Sequence, residues 1–191
     1  PCEEIDLRKD PDTGEVGVMN NCSRSEELGL PGITNSVEDI ITARDIFLAK
    51  DTGVHLHLCH CSTKGTVDLM RMAKEEGISV TAEVCPHHFT LTADDITEDN
   101  GRFKMNPPLR ETKDVEALRQ GLKEGIMDAI STDHAPHSEE EKNVPMRKAA
   151  FGIVGLETSA SLTYTELVET GILTPMQMAE RMSLAPAKIL G

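Results

Sequence analysis

With 191 residues, 38% of them hydrophobic, and a formal net charge of -14, the chain has the length and apolar content of one packed domain. The acidic balance argues against nucleic acid and against an anionic membrane surface, because both need clustered Lys and Arg. No apolar run approaches the roughly 20 residues that span a bilayer as a helix.

The chain has no Trp, one Tyr and nine Met, so aliphatic and Met side chains must fill the interior. The five cysteines, Cys2, Cys22, Cys59, Cys61 and Cys85, make no even disulfide framework. Together with the absence of a signal-peptide pattern, this predicts a reducing, cytoplasmic setting. The chain opens on Pro1 rather than Met, which predicts a piece of a longer protein.

Residues 1–35 read as an irregular lead-in, with a turn at Asp10-Pro11-Asp12-Thr13-Gly14 and a stop at Leu30-Pro31-Gly32. Ser36 reads as an N-cap, with Glu38 and Asp39 placed to meet the helix dipole. Val37, Ile40, Ile41, Phe47 and Leu48 recur at helical spacing until Gly53. Residues 54–60 alternate and predict a first strand. Ser62 or Thr63 caps a second helix that carries Val67, Met70 and Ala73 on one face and closes at Gly77. Residues 78–84 predict a second strand, stopped by Pro86.

Residues 94–100 read as a short turn or helix, and Asn106-Pro107-Pro108 as an extended segment. Val115, Leu118 and Leu122 mark a third helix ended by Gly125, and residues 126–132 a third strand. The long polar stretch 134–155 has the character of a functional loop. Helices at about 157–169 and 175–183, the latter capped by Thr174 with Pro175 in its first turn, and a turn at 187–190 complete the chain. The whole, residues 1–191, reads as one domain, with βα units and C-terminal helices over 36–191.

Alternating strands and helices predict an α/β fold with a parallel sheet. Such sheets carry their chemistry at the C-terminal ends of the strands. The reactive residues fall there: His60 after the first strand, His87 and His88 after the second, Asp133 and His134 after the third.

Thr132-Asp133-His134-Ala135-Pro136-His137 is the strongest motif. A strand-end carboxylate can bind a metal and shuttle a proton, and the histidines can orient it or donate to a substrate. His60 in Cys59-His60-Cys61 is a candidate ligand through one ring nitrogen. His55 and His57 lie an odd number of residues away, face the other side of the strand, and are expected to pack against covering helices. Asn106, at the head of a proline-stiffened segment, can donate to and accept from a planar ring amide. Cys85-Pro86-His87-His88 raises a structural zinc site, but the spacings do not match paired C-x-x-C ligands. Phe151-Gly152-Ile153-Val154-Gly155 lacks the phosphate-binding pattern. Its glycines suit close backbone approach to a small ligand.

The ordered set H-x-C-H-x-S-T, E-V-x-P-H-H, K-M-N-P-P-L-R, T-D-H-A-P-H and F-G-I-V-G-x-E resembles bacterial-type dihydroorotase of the amidohydrolase superfamily. The resemblance runs from Pro31 to Gly191. It implies the second half of a TIM-type (β/α)8 barrel, about its last three βα units plus C-terminal helices. It implies one or two zinc ions and a small-molecule substrate, dihydroorotate or N-carbamoyl-aspartate. His60 matches a zinc ligand, and Asp133 a metal-bound aspartate that serves as catalytic base and acid. Asn106, His137 and the backbone of Phe151 and Gly152 match substrate-binding positions; His134, His87 and His88 have supporting roles.

The family's first-strand H-x-H pair, its bridging carboxylate or lysine and its substrate arginine have no counterpart in this sequence, and Pro1 stands where a fifth-strand histidine would open an H-C-E motif. The chain by itself is therefore expected to bind zinc poorly, to be inactive, and to self-associate or dock with the remainder of a barrel. Rival readings are an inactive assembly subunit partnered with aspartate carbamoyltransferase, a hydantoinase or allantoinase, and a plain metal-binding module built on the Cys and His clusters.

Overall fold

The computed structural model describes residues 3–10 and 12–191; the expectations placed on Pro1, Cys2 and Pro11 lie outside them. Strands β1 (Met19–Asn20) and β2 (Gly32–Ile33) pair in parallel, with α1 (Ser23–Leu28) between them. Strands β3 (Leu56–Leu58), β4 (Val80–Val84) and β5 (Ala129–Ile130) form a second parallel sheet in the order β3-β4-β5. Helix α2 (Ser36–Thr52) leads into β3, α3 (Lys64–Glu75) joins β3 to β4, and α4 (Pro86–Thr90) with α5 (Thr112–Glu124) joins β4 to β5. Then come α6 (Glu139–Lys142), α7 (Leu156–Thr163), α8 (Pro175–Ala179) and α9 (Ala185–Leu190). This is the α/β alternation with parallel strands that the sequence predicts.

The period of two along the strands sets the core. Val80, Ala82 and Val84 of β4 are buried, while Thr81 and Glu83 between them are half-exposed. Leu58 joins them, and the helical stripes Val67, Met70 and Ala73 of α3 and Leu118 and Leu122 of α5 close over that face. Each large aliphatic side chain so buried contributes about 1.5–3 kcal/mol. Thr63 caps α3, its hydroxyl accepting from the Thr66 amide at 3.0 Å. Gly53 ends α2 and Gly125 ends α5 with left-handed backbone, φ 70° and 79°. A second apolar cluster of Met19, Leu30, Ile96, Met105 and Leu109 ties the lead-in to the proline-stiffened segment.

Several expectations need correction. The lead-in is not irregular: the short β1–β2 ladder is long-range pairing, which local sequence signals do not report. Ser36 does not cap α2: it is the first helical residue after Asn35, which makes no side-chain cap bond. His55 and His57 do not pack against the helices that cover Leu56 and Leu58, although His55 lines a cavity with Arg181, Ala185 and Lys188 of the C-terminal helical stretch. Leu56 and Leu58 take the helix side, and the two imidazoles instead line the opposite, polar face with Ser79, Thr81 and Glu83. Pro86 does not only stop β4; it opens α4, where its fixed φ suits a first helical turn. Among the described residues no helix is long and apolar enough to cross a membrane.

Candidate active site

The strand ends β3, β4 and β5 all point the same way, because the strands are parallel and in neighbouring order. His60 follows β3 and Asp133 follows β5, and these are the non-glycine residues found with positive φ among those described, 41° and 45°. Left-handed backbone turns each side chain sharply off its strand, and His and Asp are among the types that tolerate it. The His60 imidazole acts electrostatically on Asp133. Burial raises the Asp133 pKa; His60 opposes that shift and the Glu83 charge adds to it. His60 Nδ1 is buried and has no hydrogen-bond partner among the described residues.

Glu83 was not singled out from the sequence, yet it braces this mouth. Its Oε1 accepts from the His60 amide at 3.3 Å and its Oε2 from His57 Nε2 at 3.2 Å. Burial pushes its pKa up, but the hydrogen bonds from His57 and Ser131, the His57 charge and the His60 amide together hold it below the usual carboxylate range. The available signal was alternation: Glu83 shares a strand face with Thr81, opposite Val84.

Beneath the mouth lies a buried charge network, also invisible in local sequence. The Glu38 carboxylate, 2% exposed, accepts from the Ser62 amide (2.9 Å), the Ser62 hydroxyl (2.5 Å), the Thr63 amide (3.2 Å) and the Thr66 hydroxyl (2.8 Å). Arg110, 1% exposed, donates to Ser62 Oγ and Asn20 Oδ1 at 3.0 Å each and to the Ile33 carbonyl at 3.1 Å. Its Nη2 faces Glu38 at 3.9 Å. The network binds α2, the lead-in, the turn after His60 and the Asn106–Arg110 segment into one floor. Glu38 lies in the first turn of α2 as expected, and its carboxylate also serves this floor.

Asn106, at a cis bond to Pro107, donates from Nδ2 to Glu3 Oε2 at 2.7 Å and leaves a buried Oδ1 without a partner. His137 and Gly152 meet elsewhere, in a cavity of about 310 Å³ with Arg102, Lys142, Ile153 and Val154. There His137 Nε2 donates to the Phe151 carbonyl at 3.0 Å. The Gly152 amide donates to the Lys104 carbonyl at 3.1 Å and its carbonyl accepts from Lys142 Nζ at 2.8 Å. A Cβ on Gly152 would stand 2.5 Å from the Ala135 carbonyl, so only glycine fits. The Phe151 ring stacks under Lys104, 4.2 Å from Nζ to centroid. The structure thus gathers His60 with Asp133, and His137 with Phe151 and Gly152, as two groups. His134 connects them: it bridges to Ile153, and its Nδ1 accepts from the Gly155 amide at 3.1 Å ahead of α7.

Residues 23–191 match the profile of the amidohydrolase family. The chain belongs to that family. This amidohydrolase is 51% identical over 183 residues, 96% of its length, to a dihydroorotase of Pelotomaculum thermopropionicum, and it spans 43% of that protein. It is 50% identical over 190 residues to a dihydroorotase of Lactobacillus leichmannii and spans 44% of it. The chain therefore covers less than half the length of these curated relatives. Among solved structures, the D-hydantoinase (dihydropyrimidinase) of a Thermus species superposes with a TM-score of 0.78 at 28% identity, over 88% of this amidohydrolase and 37% of that chain. The α/β fold is accordingly that of part of an amidohydrolase barrel.

Proposed function

We propose that this amidohydrolase chain carries part of a dihydroorotase active site, which opens the cyclic amide of dihydroorotate to N-carbamoyl-aspartate and closes it in reverse. The observation that carries the reading is the placement of His60 and Asp133 at strand ends of one parallel sheet, each on left-handed backbone. The roughly 50% identity to dihydroorotases supports that substrate over others.

The donor set fits zinc in kind: a buried, unpartnered imidazole nitrogen on His60 and the Asp133 carboxylate, both ordinary zinc ligands. Zinc, when bound, supplies Lewis acidity toward the amide carbonyl and makes water acidic enough to attack near neutral pH. Asp133 takes the proton of the attacking water and delivers it to the leaving ring nitrogen. Asn106 Oδ1 accepts from a ring N–H. His137, with the backbone of Phe151 and Gly152 that it braces, borders the substrate from the neighbouring cavity. A catalytic zinc takes about three protein ligands, and the resemblance supplies His60 and Asp133, so at that centre the 191-residue chain by itself is expected to hold zinc weakly and to turn over poorly. Ile40, Phe47 and Leu48, each at least half exposed along α2, support self-association of the isolated chain; a monodisperse monomer by light scattering would contradict it.

The test is a graft. The matching segment of the Lactobacillus leichmannii dihydroorotase is replaced by this chain, and zinc content and turnover are measured. Hydrolysis of dihydroorotate is the expected result. A folded, zinc-loaded graft that leaves dihydroorotate intact overturns the reading. If that graft opens hydantoin instead, the second reading stands, a hydantoinase, which the structural neighbour favours.

A further inference from the structure

Where β4 runs into α4, the chain brings Cys85, His87 and His88 side by side: one donor atom from each lies within 4.8 Å of the other two. All three are buried, at 0%, 5% and 2% exposure. The two rings sit 4.2 Å apart and tilted by 56°. His88 Nε2 is 2.9 Å from the Pro107 carbonyl. A carbonyl only accepts, so Nε2 carries the hydrogen and Nδ1 keeps a bare lone pair. Neither His88 Nδ1 nor His87 Nε2 has a hydrogen-bond partner among the described residues.

Buried polar atoms with nothing to bond are rare in folded proteins and need a reason. A ring fixed by a carbonyl at one nitrogen and bare at the other is how proteins hold a metal-binding histidine. We propose that Cys85, His87 and His88 form a second metal site, separate from His60 and Asp133, for a thiophilic divalent ion of the zinc class. Two nitrogens and a sulfur make a three-ligand set with a fourth position open. A cavity of about 140 Å³, lined by Pro86, His87, Leu91, Ile153 and Thr158, gives access to it. On binding, the Cys85 S–H bond breaks, the sulfur–metal bond forms, and the proton leaves to solvent. Burial, and after it the Asp133 and Glu83 charges, keep the Cys85 thiol protonated until a metal displaces that proton; the same two charges favour a cation there. The other convergent group, His57, Cys59 and Glu83, does not compete on these grounds. His57 and Glu83 already bond each other at 3.2 Å, and both are partly open to solvent.

Cobalt(II) titration of the purified chain tests this, because a thiolate–cobalt bond gives an intense near-ultraviolet charge-transfer band. The expected result is a band present in the wild type, retained in Cys59→Ser and lost in Cys85→Ser. His87→Ala, which keeps the sulfur and the turn, is expected to weaken cobalt binding at least tenfold. No band in the wild type, a band surviving in Cys85→Ser, loss of the band in Cys59→Ser, or unchanged affinity in His87→Ala would each overturn the site. The readout needs no turnover, so it stands or falls apart from the dihydroorotase reading.

Discussion

Two polar networks meet at the strand ends, and they differ in how far each is paired within the chain. In the floor, both Glu38 oxygens accept hydrogen bonds and Arg110 donates to three acceptors; Arg110 Nη2 and Asn20 Nδ2 make none, but Nη2 faces the Glu38 charge at 3.9 Å. At the mouth, His60 Nδ1, His87 Nε2 and His88 Nδ1 bond nothing among the described residues. Both regions are desolvated, so in both a missing partner is costly. A buried polar group that is satisfied holds the chain in place. A cluster of open imidazole nitrogens with lone pairs to offer points to something beyond the chain that binds there. The floor should therefore answer to stability measurements, and the mouth to ligand and turnover.

Asp133→Asn is expected to have the largest effect. In the grafted enzyme it should lower turnover about 1,000-fold, within the range for a lost general base, while the unfolding midpoint stays in place. A large drop in stability would break the comparison by making Asp133 part of the floor. Arg110→Met should do the reverse. It strands the Glu38 charge in the interior at a cost of about 3 kcal/mol, read by urea unfolding, and adding Glu38→Gln should restore part of it. A loss under about 1 kcal/mol would show the floor to be replaceable packing.

How much of this the sequence discloses depends on the range of the interaction. Helices α3 and α5 are legible because Val67, Met70, Leu118 and Leu122 repeat at helical spacing and a capping threonine or a closing glycine stands at an end. The strand-end positions of His60 and Asp133 follow from the same local rhythm. Glu38 is not legible, because its partners Ser62 and Thr63 are 24 and 25 residues away and a glutamate in a first turn has a satisfying local explanation. The two-residue strands β1 and β2 escape for the same reason: too short to alternate, they exist only through each other. Cys85, His87 and His88 match no spaced ligand pattern, since a tight turn gathers ligands that no linear pattern requires.

A smaller effect is expected at Asp10, whose carboxylate accepts from the Gly32 amide at 2.7 Å and from Thr13. Those bonds hold its pKa at about 2, against an ordinary 3.8. A carboxylate lowered by folding stabilises above its unfolded pKa and loses that contribution as pH falls through the folded value. Asp10→Asn should therefore cost about 1 kcal/mol at neutral pH, with the gap to wild type closing between pH 3.8 and about 2. An equal gap at both ends of that range would remove the ionised carboxylate from the account. The smallest effect is expected for His57→Gln on the half-open polar face, under about 0.5 kcal/mol by thermal melting.

The left-handed backbone at 60 and 133 also decides which variants are informative. Valine or isoleucine at either position would clash with its own main chain as well as lose its functional atoms, so a dead variant would say nothing about chemistry. Asparagine tolerates that conformation and carries neither imidazole nor carboxylate. A saturation library at these two sites should thus split by main-chain geometry before it splits by function, with asparagine and glycine folding and the branched residues failing early.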